Sequence, residues 1–345
     1  MALDDTFCAF ASARTLFDVT KYMQFCAFDI IGEITVGKSF DYLKKRTDFN
    51  GIMKALDDSS QYACRVGLFH GLHSKLAAVA STFHAPIPFD VISKYLKYHI
   101  EGRQNGTLES SREDFLTKLL RLRELGKLED ADVFTTLGAN IAAGSETTGL
   151  TLSAIVYYLS RHPEHVAALR KEARHAYEAG RVSNPITYAE ARDLPFLNAV
   201  IMEALRLHPA TNQIMSRVVP PAGTHIAGKF FPGGTEVGVN SWVLHYDGSL
   251  FGDDCSEFRP ERWLSGSEEQ LRRMNRHWIP FGSGARTCIG KNISLLEITK
   301  IIPQIYRKFD FELEDPKEEW SCAGYWFVKP SFNCRVVMRD VNDRF

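Results

Sequence analysis

The densest reactive signal in the sequence is Phe281-Gly282-Ser283-Gly284-Ala285-Arg286-Thr287-Cys288-Ile289-Gly290. Its close-set glycines let a backbone hairpin lie flat against something large. The apolar spacing of Ile289, Ile293, Leu296 and Ile298 predicts an amphipathic helix with Cys288 at its start. Unpaired N–H groups and the positive end of the helix dipole favour a thiolate at such a position. A thiolate there is a metal ligand or a nucleophile. Arg286 supplies a charge to meet an anion, and Gly290 lets the helix approach a flat ligand closely. Two other readings stand beside this one. Cys288 could be a small buried apolar residue, the reading that suits most of the seven cysteines. It could also be a catalytic nucleophile partnered by His208, His245 or His277.

Three further groups carry chemistry. Ala143-Gly144-Ser145-Glu146-Thr147-Thr148 sits inside a long apolar run. Hydroxyls there can bond the carbonyl four residues back, and an acid beside a hydroxyl can hold water and pass protons. The plainer alternative is a kinked buried helix with a few satisfied polar groups. Glu203 and Arg206 stand three apart on one helix face. Phe258-Arg259-Pro260-Glu261-Arg262-Trp263 is a charged knot from which Arg262 can reach Glu203 and build a buried network.

The elements that must position these groups are mostly helical. Phe25, Phe28 and Ile31 recur at helical spacing, as do Phe115, Leu116, Leu119 and Leu120 before Gly126. A long helix is expected from Glu129 or Asp130 to just before His162-Pro163. Pro163 opens the next helix, which Gly180 stops. Pro195 and Pro209 bracket another. From Arg217 to Trp242, glycines and prolines punctuate short β-branched runs, which reads as hairpins. A polar stretch to about Arg276 follows, then a last helix from near Cys288 past Ile302 and a strand-like tail at Arg335–Met338. The expected class is mostly α (α+β in layer terms), with small sheets.

The 345 residues suit one large domain or two small ones, and 45% hydrophobic with 24% charged residues is an ordinary globular mix. A net charge of −1 gives no overall bias toward nucleic acid. No pair of cysteines forms CxxC, which argues against a zinc ribbon or a thioredoxin-type site. The N-terminus shows no signal peptide. Val133 to Ser160 carries the single charge Glu146 and is long enough to span a bilayer. A carboxylate in its middle suits a helix buried in protein better. Gly32-Glu33-Ile34-Thr35-Val36-Gly37-Lys38-Ser39 satisfies GxxxxGK[ST], but helical periodicity runs into it where a phosphate loop needs a preceding strand.

Taken in order, these groups resemble the motifs of the cytochrome P450 family. The cysteine loop matches FxxGxRxCxG, Ala143–Thr148 matches the oxygen-activation motif, Glu203 and Arg206 match ExxR, and Pro260–Trp263 looks like PERF with Trp last. Phe28–Phe40 also looks like a helix of fungal microsomal members, particularly the pisatin demethylase-like group.

The resemblance implies a P450-type helical fold with small β-sheets. It also implies a haem-thiolate monooxygenase that inserts one oxygen atom from O2 into a small apolar substrate, in fungal-type secondary metabolism or detoxification. Cys288 would be the metal ligand to haem b (iron protoporphyrin IX). Phe281, Gly282 and Gly290 would shape the cofactor loop, while Arg286 and Arg217 would contact haem propionates. Thr147, with Glu146, would deliver protons during oxygen activation. Glu203, Arg206 and Arg262 would be scaffold. Electrons would come from NADPH through a flavoprotein reductase, docked on Arg272, Arg273, Arg276, His277 and Lys291. Substrate contacts would come from Ala139, Ala143, Thr211 to Ile214 and Tyr325-Trp326-Phe327. Residues 1–345 read as one partial P450-like domain lacking the family's N-terminal anchor and first helices. The family's place is the cytosolic face of the endoplasmic reticulum membrane; a truly truncated chain would be cytosolic. Two alternatives remain: a non-catalytic remnant with weakened haem binding, and a haem-thiolate isomerase or dehydratase that needs no O2.

Overall fold

The computed structural model describes residues 2–67, 69, 71–82, 89–110 and 112–340. The architecture is predominantly helical with small sheets, and the chain divides into two compact units: Met1–Arg161 with Gln304–Phe345, and His162–Pro303.

The first unit is organised by a central helix, Asp130–Arg161, whose ends fall where the acidic start and His162-Pro163 stop predict. Leu150, Leu152, Ala154, Ile155, Val156 and Leu159 are all buried, so this half of the helix is enclosed nearly all round. Its chief partner is the helix Val19–Val36. The two approach closely because Gly144 faces Ile31 and Gly149 faces the backbone of Gln24. A Cβ added at Gly149 would stand 2.8 Å from Gln24 Cα. No helix among the described residues is long and apolar enough to cross a membrane.

Helix Val19–Val36 also disposes of the phosphate-loop lookalike. Asp18 caps its start, accepting from the Lys21 N–H at 3.0 Å. Gly37 ends it at φ +72°, donating its N–H to Glu33 O. Lys38 N–H returns to Gly32 O, and Ser39 N–H goes to the Glu33 carboxylate. Backbone donors that would cradle a phosphate are spent on closing a helix.

The tail completes this unit. Phe17–Asp18, Asn333–Met338 and Phe309–Leu313 form an antiparallel sheet with Asn333–Met338 in the middle. The strand-like tail was legible from sequence. The two-residue strand Phe17–Asp18 was not, because only its pairing with Cys334 and Asn333 defines it. Phe7 packs on Phe17, Phe309 and Phe311 at centroid distances of 5.4–5.6 Å and locks this sheet to the first helix, Ala2–Ala13. A hairpin, Ser321–Gly324 with Val328–Ser331, follows the strand Phe309–Leu313.

The second unit holds the helices Pro163–Glu178 and Pro195–Leu207, both opened by proline as expected. The Glu172 carboxylate accepts the N–H groups of Phe196 and Leu197 and so caps Pro195–Leu207 from outside. Arg217–Val218 pairs with Glu236–Val237, and Thr224–Ile226 with Lys229–Phe231, as the hairpin reading requires. The polar stretch also contains a helix, Glu268–His277. Met274 is its sole buried residue, and with the half-buried Leu271 and Trp278 it makes a thin apolar stripe at i, i+3 and i+7 among charged residues. The capping box of Ser267 and Gln270 marks its start.

Alanine is a better helix former than glycine by about 1 kcal/mol. At position 149 the close approach outweighs that gain: Gly149→Ala is expected to cost a net ~1–2 kcal/mol through overpacking, measured as a lower midpoint in chemical denaturation.

Candidate functional site

Phe281, Gly282, Arg286, Cys288 and Gly290 come together in one closed loop of the second unit. The Cys288 N–H donates to Phe281 O at 2.8 Å, and the Thr287 N–H to Gly284 O at 3.1 Å. Gly282 and Gly284 take φ values of +72° and +71°, which lets the loop reverse twice without a Cβ in the way. The Cys288 thiol is free and exposed. Gly290 leaves the space beside it open, since a Cβ there would stand 3.8 Å from Sγ.

The helix after the loop begins later than expected. It spans Lys291–Lys308, so Cys288 lies in the turn before it and Ile289 is 98% exposed instead of being the first apolar contact. The buried set is shifted to Ile298, Thr299, Ile301 and Ile302, together with Glu297, a carboxyl that burial pushes up to about 8. Of the expected basic face, Lys291 is committed elsewhere: its ammonium lies over the rings of Trp278 and Phe281 at 5.8 and 5.7 Å. Arg272, Arg273 and Arg276 are exposed on the helix Glu268–His277.

Beside the loop lies a cleft of about 350 Å³ whose walls include Arg217, Met215, Val239, Pro280 and Gly282. Ile214, Met215, Val218 and Val239 are each between 45% and 65% exposed, an unusual concentration of bare apolar surface. Arg217 turns one guanidinium nitrogen onto the carbonyls of Met215 and Ser216. Neither Arg217 nor Arg286 has a carboxylate partner among the described residues. The donor set is therefore one thiol, two free guanidinium charges and an apolar wall.

A buried network supports this face. Glu203 is fully buried and its carboxylate is saturated. Oε1 accepts from Arg206 Nη2 at 2.8 Å, Arg262 Nε at 2.8 Å and the Arg259 N–H at 3.0 Å. Oε2 accepts from Arg206 Nε and from the Trp263 indole, each at 2.9 Å. Burial alone would lower Arg262, but Glu203 and Asp254 outweigh it and hold its charge more firmly than usual. The tryptophan that departs from PERF thus contributes a fifth donor.

Arg206 passes this order toward the ligand loop through His245. Arg206 Nη1 donates to His245 O at 2.8 Å, and His245 Nδ1–H donates to Arg206 O at 3.0 Å. His245 Nε2 then accepts the N–H of Ile279 at 3.0 Å, two residues before Phe281. This arrangement requires a neutral imidazole protonated on Nδ1. Burial, reinforced by the Arg206 charge, lowers His245 to about 4. With both ring nitrogens engaged, His245 is not available as a base for Cys288.

Glu146 and Thr147 belong to the central helix of the first unit. As i and i+1 residues they do not share a face. The Thr147 hydroxyl donates to Ala143 O at 2.7 Å on the open side of the helix, where Ala139 and Ala143 are exposed. Ser145, Thr151 and Ser153 bond back in the same way, as the sequence suggested. Glu146 is buried, and its Oε1 accepts from Lys329 Nζ at 2.9 Å. Lys329 also bonds Asp57. Burial pushes Glu146 up to about 7 and Lys329 down to about 8. Sequence reading missed both Lys329 and Asp57; a lone lysine in a strand and one of two adjacent aspartates in a helix carry no local signal of pairing.

The fold and the thiol loop lead to one family, and the chain belongs to it: the family model for cytochrome P450 matches residues 2–333. It is similar to a pisatin demethylase of Fusarium vanettenii, 38% identical over 337 residues, and spans 96% of this chain and 64% of that relative. It is also similar to the cytochrome P450 monooxygenase ACRTS1 of Alternaria alternata, at 32% identity over 96% of this chain and 90% of that protein. Among solved structures, a crystal structure of a cytochrome P450 (CYP102L1) superimposes with a TM-score of 0.79 at 26% identity, covering 98% of this chain and 72% of the other. The family implies haem, and the exposed thiol, the cradle at Gly290, the apolar wall and the two free arginines fit a flat, apolar, dianionic macrocycle.

The His245 shift has a pH consequence. Its folded value lies below the unfolded value of about 6.5, so its contribution is full above that pH and is lost as pH falls toward 4. The expected loss across that window is on the order of 3 kcal/mol. Denaturant unfolding at stepped pH should show it, and His245→Gln should flatten that part of the slope.

Proposed function

We propose that this chain forms the catalytic part of a fungal-type P450 monooxygenase, with its two compact units making one P450-like domain. The observation that carries the reading is the free Cys288 thiol on a loop closed by Phe281 and kept open at Gly290. Haem b, when bound, would supply the redox chemistry by which one atom of O2 enters a small apolar molecule and the other leaves as water, with two electrons arriving singly from NADPH through a flavoprotein reductase.

The protein's part is to bind, orient and protonate. Cys288 as thiolate holds the metal, while the backbone at Gly282 and Gly290 allows close approach. Phe281 covers the sulfur, and its carbonyl fixes the Cys288 amide. Arg286 and Arg217 meet the propionates. Thr147 holds a proton-bearing partner at the open side of the central helix, with Glu146 behind it as the acid. Ala139 and Ala143 of the first unit leave room for substrate beside Thr147, and Thr211 to Ile214 are read separately as substrate contacts of the second unit. Arg272, Arg273 and Arg276 offer a basic face to an acidic reductase. The cytosolic face of the endoplasmic reticulum membrane suits a partner of that kind, and similarity to pisatin demethylase suits secondary metabolism or detoxification.

The test is a carbon monoxide difference spectrum of the reduced, haem-supplemented protein. A thiolate-type Soret band is expected, and Cys288→Ala should abolish it; a band that survives the substitution removes Cys288 from the metal. Thr147→Ala should keep the band but lower product formed per NADPH by roughly tenfold or more, with the electrons recovered as peroxide. Unchanged yield would exclude the proton-delivery role.

A further inference from the structure

We propose that Lys329 is the positioning residue for Glu146: shared between Glu146 and Asp57, its ammonium orients the buried carboxyl and decides whether that carboxyl holds a proton. The inference rests on the reading of Glu146 and Thr147 as the proton-delivery pair, and deepens it by naming the group that controls the acid.

Three elements of the first unit meet here. Glu146 comes from the central helix, Lys329 from the strand Val328–Ser331 and Asp57 from the helix Ile52–Val66. The Glu146 side chain is 2% exposed, that of Lys329 22% and that of Asp57 39%. One ammonium stands between two carboxylates, so the fully ionised cluster carries an excess negative charge. A proton on one carboxylate makes the cluster neutral. Asp57 can keep its charge because water reaches it. Glu146 cannot be solvated, and its Oε2 is buried with no hydrogen-bond partner. The proton therefore belongs on Glu146, at Oε2, while Oε1 accepts from Lys329. The upward displacement of Glu146 and the downward one of Lys329 agree with this distribution.

Several other charged groups on elements packed against the central helix have partners of their own or face solvent. Asp29 accepts the N–H groups of Tyr42 and Leu43, and Glu33 accepts that of Ser39. Arg103 pairs with Asp114, while Glu312 and Lys118 face solvent. Among the described residues, Lys329 is the charge that Glu146 meets, and Asp57 is the second carboxylate on that ammonium. The strand bearing Lys329 leads out of the turn Tyr325-Trp326-Phe327. A displacement of that hairpin would therefore change the counter-ion of the acid.

The experiment follows the Glu146 carboxyl in the full-length chain by isotope-edited infrared or carbon NMR from about pH 5 to 9, assigned with Glu146→Gln. The wild-type midpoint is expected near 7. Lys329→Met should raise it by roughly one unit or more, Asp57→Asn should lower it, and Lys329→Arg should leave it near wild type. In the reconstituted enzyme, the pH at which product per NADPH falls should move with that midpoint in each variant. A midpoint unmoved by both Lys329→Met and Asp57→Asn overturns the inference, as does a coupling profile that ignores a midpoint that has moved. Should the carbon monoxide band be absent while the midpoints move as described, the oxygenase reading fails and the control of Glu146 by Lys329 stands. Should Lys329→Met not fold, Asp57→Asn and Lys329→Arg decide the matter between them.

Discussion

A carboxylate taken wholly out of water must be given back every hydrogen bond it loses, and Glu203 shows what that demand does to a chain. Two guanidinium groups, an indole and a backbone amide converge on it. The guanidiniums in turn must place their remaining N–H groups. Arg206 spends them on the carbonyls of His245, Cys255 and Glu257, and Arg262 on those of Phe251, Asp254 and Glu257. A stretch with few regular hydrogen bonds of its own is thereby held by a single anion. Buried ion networks are poor evidence of net stability, because desolvation offsets much of the attraction. What this one supplies is register: removing any member strands a charge or a carbonyl in a dry interior. Through His245 and the Ile279 amide, that register extends to the loop carrying Cys288.

Glu146 is the opposite case. It is as buried as Glu203, yet one oxygen meets Lys329 and the other has no hydrogen-bond partner among the described residues. A buried carboxyl left with a single shared cation has every reason to take up a proton. The same residue type is therefore scaffold in one unit and, in our proposal, a proton store in the other. Local satisfaction of lone pairs makes the difference. The central helix tolerates this because its other polar groups, Ser145, Thr147, Thr151 and Ser153, bond to the turn below them.

The face around Cys288 shows the complementary principle. Apolar side chains that would ordinarily be buried are left bare, and two arginines stand without counter-ions among the described residues. The surface is shaped for a partner that is apolar in its plane and anionic at its rim. What is grafted around a fold decides substrate, not the fold itself.

Much of this was legible in the sequence because it is encoded over short distances. The central helix could be bounded at both ends, since an acidic start and a His-Pro stop act on adjacent residues. The thiol loop, the pairing of Glu203 with Arg206 and the proline-opened helices were legible for the same reason. The helix Glu268–His277 went unread because its apolar stripe is only Leu271, Met274 and Trp278, thin among charged residues, and the helix after Cys288 starts at Lys291 because the glycine turn has to finish first. Only the tertiary structure decided that Lys329, 183 positions along the chain from Glu146, would stand beside it, with Asp57 as rival. No spacing rule reaches that far. A charge pair between distant segments is selected by which backbones the apolar core brings together, and that choice is made by packing, not by neighbours in sequence.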